Sequence, residues 1–194
     1  AVEIFSSHGA SEFYGNPDPL RSDQTDAKAG YVRKALGLGH RLGILASTDS
    51  HAGIPAWTDP GRTLGKGAMV AAWATALTRS CIFDALWQRR CYAVEGGARI
   101  ILRFSANGQP MGSELTVAGD VRIHVDAMAE DHIAEVAVIR DGVEVFSKKG
   151  EADVIQLDYA DSMALPAKHY YYVRVTQTDG RRAWSSPIWV DAVR

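Results

Sequence analysis

Two short constellations in the 194-residue chain have residue types suited to metal chemistry. Asp49-x-His51 closes the apolar run Leu42-Gly43-Ile44-Leu45-Ala46. In an extended segment, side chains two apart point to the same side. A carboxylate and an imidazole presented together suit Zn, Mn or Fe. By itself, D-x-H also fits a turn in which Asp49 and Ser50 cap backbone groups and His51 is solvated. The second constellation is Glu3, His8 and Glu12, around the apolar stretch Val2 to Phe5. His8 follows that stretch. Glu3 lies within it, where a buried carboxylate needs a partner. A lone loop histidine is the plain reading of His8.

These residues need strand ends to hold them. Val2 to Phe5 reads as a strand, followed by a polar, Pro-containing loop from Gly15 to Thr25. Ala29, Val32, Ala35 and Leu36 fall at helical spacing over Asp26 to Leu38, with Thr25 or Asp26 as cap and Gly37 and Gly39 as stop signals. Leu42 to Ala46 then reads as a buried parallel strand, so His8 and Asp49-x-His51 both lie at strand C-terminal ends, where α/β folds keep functional groups. A Gly- and Pro-rich loop spans Ala52 to Lys66. Ala68 to Thr75 reads as another strand. Thr78 to Arg90 reads as a helix, with Ile82, Phe83, Leu86 and Trp87 on one side.

Gly96-Gly97 breaks this pattern and marks the expected boundary between residues 1–97 and 98–194. Beyond it the signals are β. Val121 to Asp126 alternates apolar and polar. Asp141-Gly142 and Asp179-Gly180 sit between β-type runs as hairpin turns. An antiparallel sandwich of immunoglobulin or fibronectin type is expected, with no long helix between Ile100 and Val190. His40, His124, His132 and His169 read as structural or surface residues. Tyr170-Tyr171-Tyr172, Trp184 and Trp189 read as core or sheet-edge aromatics in preference to a carbohydrate platform.

Composition narrows the function classes. Hydrophobic residues make up 46%, charged residues 23%, and the formal net charge is -2. That is a core-forming chain without the basic stripe of a nucleic-acid binder. No apolar run approaches the roughly 20 residues that span a bilayer as a helix. Cys81 and Cys91 are too few for a disulfide framework and read as two separate buried thiols. The opening Ala1-Val2-Glu3 enters a strand with no lead-in, so residues upstream are expected to be missing. Cellular location is left open.

The phrase Val2-Glu3-Ile4-Phe5-Ser6-Ser7-His8-Gly9-Ala10-Ser11-Glu12, then a helix, then Arg41 through His51, resembles the closing segments of the PHP (polymerase and histidinol phosphatase) superfamily. Ala71-Ala72-Trp73-Ala74, Ile82 to Leu86, Arg90 to Ala93 and Met111-Gly112-Ser113-Glu114 resemble its branch with an added C-terminal β region. The resemblance covers roughly the first 115 residues. It implies the C-terminal units of a distorted β/α barrel over residues 1–97. It also implies a cluster of two or three divalent metals (Zn, Mn or Fe) and hydrolysis of a small phosphoester by metal-activated water. Asp49 and His51 would be catalytic metal ligands. His8 would be a further ligand or a substrate contact. The role of Glu3 is unassigned.

The family's N-terminal H-x-H, middle Glu and intervening histidines are absent. A full eight-unit barrel takes about 250 residues. The resemblance therefore implies a fragment, inactive alone, whose partner is a missing N-terminal barrel segment. An unpaired barrel edge would favour association into oligomers. The competing expectation is a non-catalytic β-sandwich that binds a glycan or a protein, with the α/β part as its support.

Overall fold

The computed structural model describes residues 1–18, 30–50, 67–162 and 167–193. Three strands form a small sheet: β1 (Val2–Ser6), β2 (Gly9–Ala10) and β3 (Ile44–Ala46), in the order β2-β1-β3. β1 and β3 are parallel, with Val2 opposite Ile44, while β2 folds back antiparallel on β1. Helix α1 (Val32–Gly37) lies between β2 and β3 in the chain and buries Val32 and Leu36. Its N-terminus has no side-chain cap. Instead, the N–H groups of Val32 and Arg33 donate to the carbonyls of Ser11 and Glu12, satisfying two of the helix's orphan donors.

The remaining strands make a ten-stranded sheet. They are β4 (Met69–Ala72), β5 (Cys91–Val94), β6 (Ile100–Ala106), β7 (Gln109–Pro110) and β8 (Glu114–Ala118). Then follow β9 (Val121–Arg140), β10 (Val143–Asp161), β11 (Ala167–Gln177), β12 (Arg182–Ser185) and β13 (Ile188–Val193). Helix α2 (Arg79–Trp87) joins β4 to β5, with the Thr78 hydroxyl accepting from the Cys81 N–H at its start. The main path runs β4-β5-β12-β11-β9-β6-β7.

The long strand β9 curls this sheet. Its first half, from Ile123 to Ala129, pairs with β6, and its second half, from Ile133 to Arg140, pairs with β11. β10 follows β9 through both halves and absorbs the bend by register shifts between Lys149 and Val154. Bulges of this kind increase local twist and let one strand serve two sheet regions. The β9–β10 turn is Asp141-Gly142, both at positive φ (52° and 81°), as a two-residue hairpin of the primed type requires.

Period-two alternation divides the sheet's two faces between two cores. On β11, Tyr171, Val173 and Val175 enter the curl, joined by Leu102, Phe104 and Val125. The alternate residues Tyr170 and Tyr172 face the other way, with Ile139 and Trp184, and pack against Ile4, Phe5 and Ile44 of the small sheet. The free edge of β3 is closed by side chains. Ile44 N–H donates to Ser186 Oγ (2.9 Å), and Cys91 Sγ donates to the Ile44 carbonyl (3.4 Å).

The architecture corrects the barrel expectation. The described residues are 57% strand and 9% helix, and among them there is no β/α barrel. Among the described residues one parallel pair, β1–β3, matches the expected βα units. β4 and β5 pair antiparallel with each other, and β5 continues onto β12 in the large sheet. A run such as Leu42 to Ala46 reports that a strand is buried on both faces. Here one covering layer is another sheet, a possibility that the run itself does not separate from helices. The purely antiparallel sandwich is corrected as well, because β13 pairs parallel with β8 from Trp189–Glu114 to Val193–Ala118.

Gly112 shows how closely the β7–β8 connection and the segment after α2 approach each other. It has φ +88°, and a Cβ there would lie 2.3 Å from the Gln88 carbonyl oxygen and 2.7 Å from the Arg89 carbonyl. Gly108 also has positive φ (+77°) but faces open space. Gly108→Ala should therefore cost about 1 kcal/mol, the left-handed penalty alone. Gly112→Ala should cost upwards of ~2 kcal/mol more, because backbone must move. Denaturant unfolding of the two variants tests the difference, and equal losses would contradict the close approach.

Candidate functional site

The parallel pairing of β1 and β3 brings two of the predicted site residues together. His8 lies just beyond β1 and Asp49 just beyond β3, and His8 Nε2 is 2.5 Å from Asp49 Oδ2. Both side chains are partly open to solvent, 39% and 31% exposed. Asp49 has φ +49°, a left-handed conformation that aspartate tolerates better than most residues. Its neighbour Ser50 donates its N–H to Thr48 Oγ1 (3.3 Å). Glu3 accepts a hydrogen bond from the Ser47 hydroxyl across the same strand pair. His51 lies outside the described residues.

Ion pairing alone does not single out this pair. His124 contacts Asp158 (2.7 Å) and Asp126 (3.3 Å), and His132 contacts Asp153 (2.6 Å). His169 pairs with Asp141. What sets His8–Asp49 apart is its position at the C-terminal ends of two parallel strands. Among the described residues no group of three or more His, Cys, Asp or Glu is arranged to hold a metal ion. Two donors do not make the two- or three-metal cluster that the resemblance implies. The expectation of a zinc- or manganese-dependent phosphoester hydrolase is corrected to this extent: the described residues form a β-rich structure that shows no sign of a hydrolytic metal centre.

Polar convergence is greatest elsewhere. The Glu12 side chain is 1% exposed. Its Oε1 accepts from Arg33 Nη2 (2.8 Å) and the Tyr172 hydroxyl (2.7 Å), and its Oε2 from Trp184 Nε1 (2.9 Å). Arg174 Nη1 approaches both oxygens at 3.3 and 3.4 Å. Arg33 also donates to the Tyr172 hydroxyl and to the Gly142 carbonyl, both at 2.8 Å, and its guanidinium lies 4.2 Å above the Phe13 ring. Burial opposes ionisation of Glu12. The charges of Arg174 and Arg33 and the donors Tyr172 and Trp184 outweigh it, and hold the carboxyl below the usual glutamate range. Burial and the Glu12 charge push the Tyr172 phenol well up, so it remains an O–H donor.

Sequence reasoning named Glu12 only as the end of a spacing pattern, and read Tyr172 and Trp184 as core. Their partners stand up to 172 positions apart, so no local pattern could have announced them. A surface hollow of about 620 Å³ between α1 and strands β8, β11 and β13 includes neither His8 nor Asp49 in its lining. Its charges are paired as Arg41–Glu114, Lys168–Asp191 and His169–Asp141.

A depressed carboxyl pKa adds stability that is full above the unfolded value and is lost as pH falls through the folded one. Wild-type stability should therefore carry an acid limb below the ordinary glutamate range that Glu12→Gln flattens. At neutral pH, Glu12→Ala leaves Arg33 and Arg174 without their buried counter-charge and should cost about 3–5 kcal/mol. Urea unfolding across pH 2.5–7 measures both, and a Glu12→Gln profile parallel to wild type would refute the assignment.

Comparison with known proteins adds sequence relatives without an assigned activity. A family model described as a protein of unknown function (DUF3604) matches residues 57–127. An uncharacterised protein of Chlamydia pneumoniae is 30% identical over 211 residues, covering 98% of this chain and 34% of that protein. One from Chlamydia trachomatis serovar D is 31% identical over 212 residues, with the same shares. The chain thus spans about a third of the length of the curated relatives it matches. Among solved structures, the fibronectin(III)-like modules of Clostridium thermocellum CbhA superpose with a TM-score of 0.37 at 14% identity, over 46% of this chain and 94% of that one.

Proposed function

We propose that residues 1–194 are a β-rich, non-catalytic support module that holds the β1–β3 corner in fixed geometry for protein–protein contact within a longer protein. The observation that carries this reading is Glu12. The most heavily hydrogen-bonded carboxylate among the described residues is closed to any substrate and ties the small sheet to the large one. Charges buried in pairs specify one arrangement of the elements that supply them. The arrangement serves positioning.

The purified chain should unfold in one transition, with Trp fluorescence and far-UV circular dichroism coinciding, since both cores share β11. With p-nitrophenyl phosphate and added Mn or Zn it should show no more turnover than Asp49→Ala. Turnover that disappears in Asp49→Ala, or two separated transitions, would overturn the reading.

The His8–Asp49 contact favours a second reading, which keeps the PHP resemblance as a proposal. The pair would supply two donors to one divalent cation, the rest of the coordination coming from elsewhere in the longer protein. An imidazole and a carboxylate suit Zn or Mn once the histidine is neutral, and the direct 2.5 Å contact would have to open to the ~3 Å or more that separates two donors on one ion. Calorimetric titration of the chain with Zn or Mn should show one weak site, lost in both His8→Ala and Asp49→Ala. Unchanged binding in either variant would sink this second reading.

A further inference from the structure

Helix α2 presents an apolar face to solvent. Its one buried residue is Ala85. Phe83 and Trp87, one turn apart, are 64% and 72% exposed, and their rings stack with centroids 6.1 Å apart and planes at 19°. Leu77, just before the helix, is 93% exposed. On β4, the strand that α2 contacts, Met69 and Val70 are 46% and 43% exposed. β4 also ends the main path of the large sheet, and its one described ladder partner is β5.

A nine-residue helix is well short of the roughly 12–15 residues at which isolated helices become even marginally stable. Contiguous exposed aromatics also mark interaction surfaces more often than chance scatter. The α2 face therefore calls for a cover.

We propose that α2 is a docking face for polypeptide of the same longer protein lying outside residues 1–194, with Phe83 and Trp87 as the anchors. Two observations favour this occupant over a second copy of the chain. The curated relatives align with 98% of this chain but only 34% of their own length, so most of their length lies beyond the matched region. The patch is also small. Scaled by their exposure, the side chains of Phe83, Trp87, Leu77, Met69 and Val70 together present on the order of 600 Å². A stable interface between separate molecules buries roughly 800 Å² per partner. A segment of the same polypeptide needs less area, because the covalent link supplies a high effective concentration.

This inference names the partner of the support module and so rests on that reading. Its readout is local to α2, whereas the support reading is tested by turnover and by the unfolding transition. Amide hydrogen exchange at residues 79–87 is to be compared between the isolated 1–194 chain and the full-length polypeptide that carries it. Slowing of tenfold or more in the full-length protein is expected. The double variant Phe83→Ser/Trp87→Ser should abolish the slowing while leaving the isolated chain's unfolding midpoint in place, since both rings are exposed there. Equal exchange in the two forms would overturn the proposal, as would slowing that survives the double variant. Sedimentation showing that both forms dimerise through Phe83 and Trp87 would instead assign the face to a second copy.

Discussion

The rest of the structure depends on one buried carboxylate. Removing Glu12 from water is costly, and the cost is offset only if opposite charge and donors are already in place. Arg33 comes from α1, Tyr172 and Arg174 from β11, and Trp184 from β12. Arg174 also meets Glu144 on β10 (3.2 Å), so two carboxylates face two guanidinium groups. The donors come from three elements, α1, β11 and β12. The carboxylate is satisfied only when α1, the small sheet and the centre of the large sheet have assembled. A single ionised group thereby makes the relative placement of both sheets nearly all-or-none.

Alternation on β11 makes that assembly possible. A strand with one solvated face would show polar residues at every second position. Here Tyr170 and Tyr172 are as buried as Tyr171 and Val173, because each face covers a different core. The second face meets Glu12 through the Tyr172 hydroxyl, the Trp184 N–H and the Arg174 guanidinium. Asp161 has a smaller analogue inside the curl, accepting from Arg140 (2.6 Å) and the Tyr171 hydroxyl (2.9 Å). Both buried carboxylates sit where side chains from several elements converge.

The same economy shapes the His8–Asp49 corner. A parallel strand pair brings the ends of two segments about 40 residues apart into contact, and a histidine and an aspartate meet there. His–Asp contacts recur over the surface as ordinary ion pairs. The chemical interest of His8–Asp49 lies in where the fold presents it. Both groups stand partly open at the strand ends.

What the sequence determined by itself is local. Val2 to Phe5 and, within Leu42 to Ala46, Ile44 to Ala46 are strands because short apolar runs bounded by polar or Gly residues favour largely buried strands. The hairpin at Asp141-Gly142 follows from residues that accept positive φ. The alternation over Val121 to Asp126 is the period of a strand with one buried face. Each of these signals is complete within a few residues. Tertiary structure alone decided what covered those strands and which charges met. The second layer over β1 and β3 is a sheet rather than a ring of helices. β5 joins β12 rather than a barrel. Glu12, in the loop after β2, is a buried hub and not merely the end of a spacing pattern. The physical reason is range. Burial, ion pairing and sheet order depend on contacts across as many as 172 positions, and a window of ten residues carries the propensity for an element but not the identity of its neighbour.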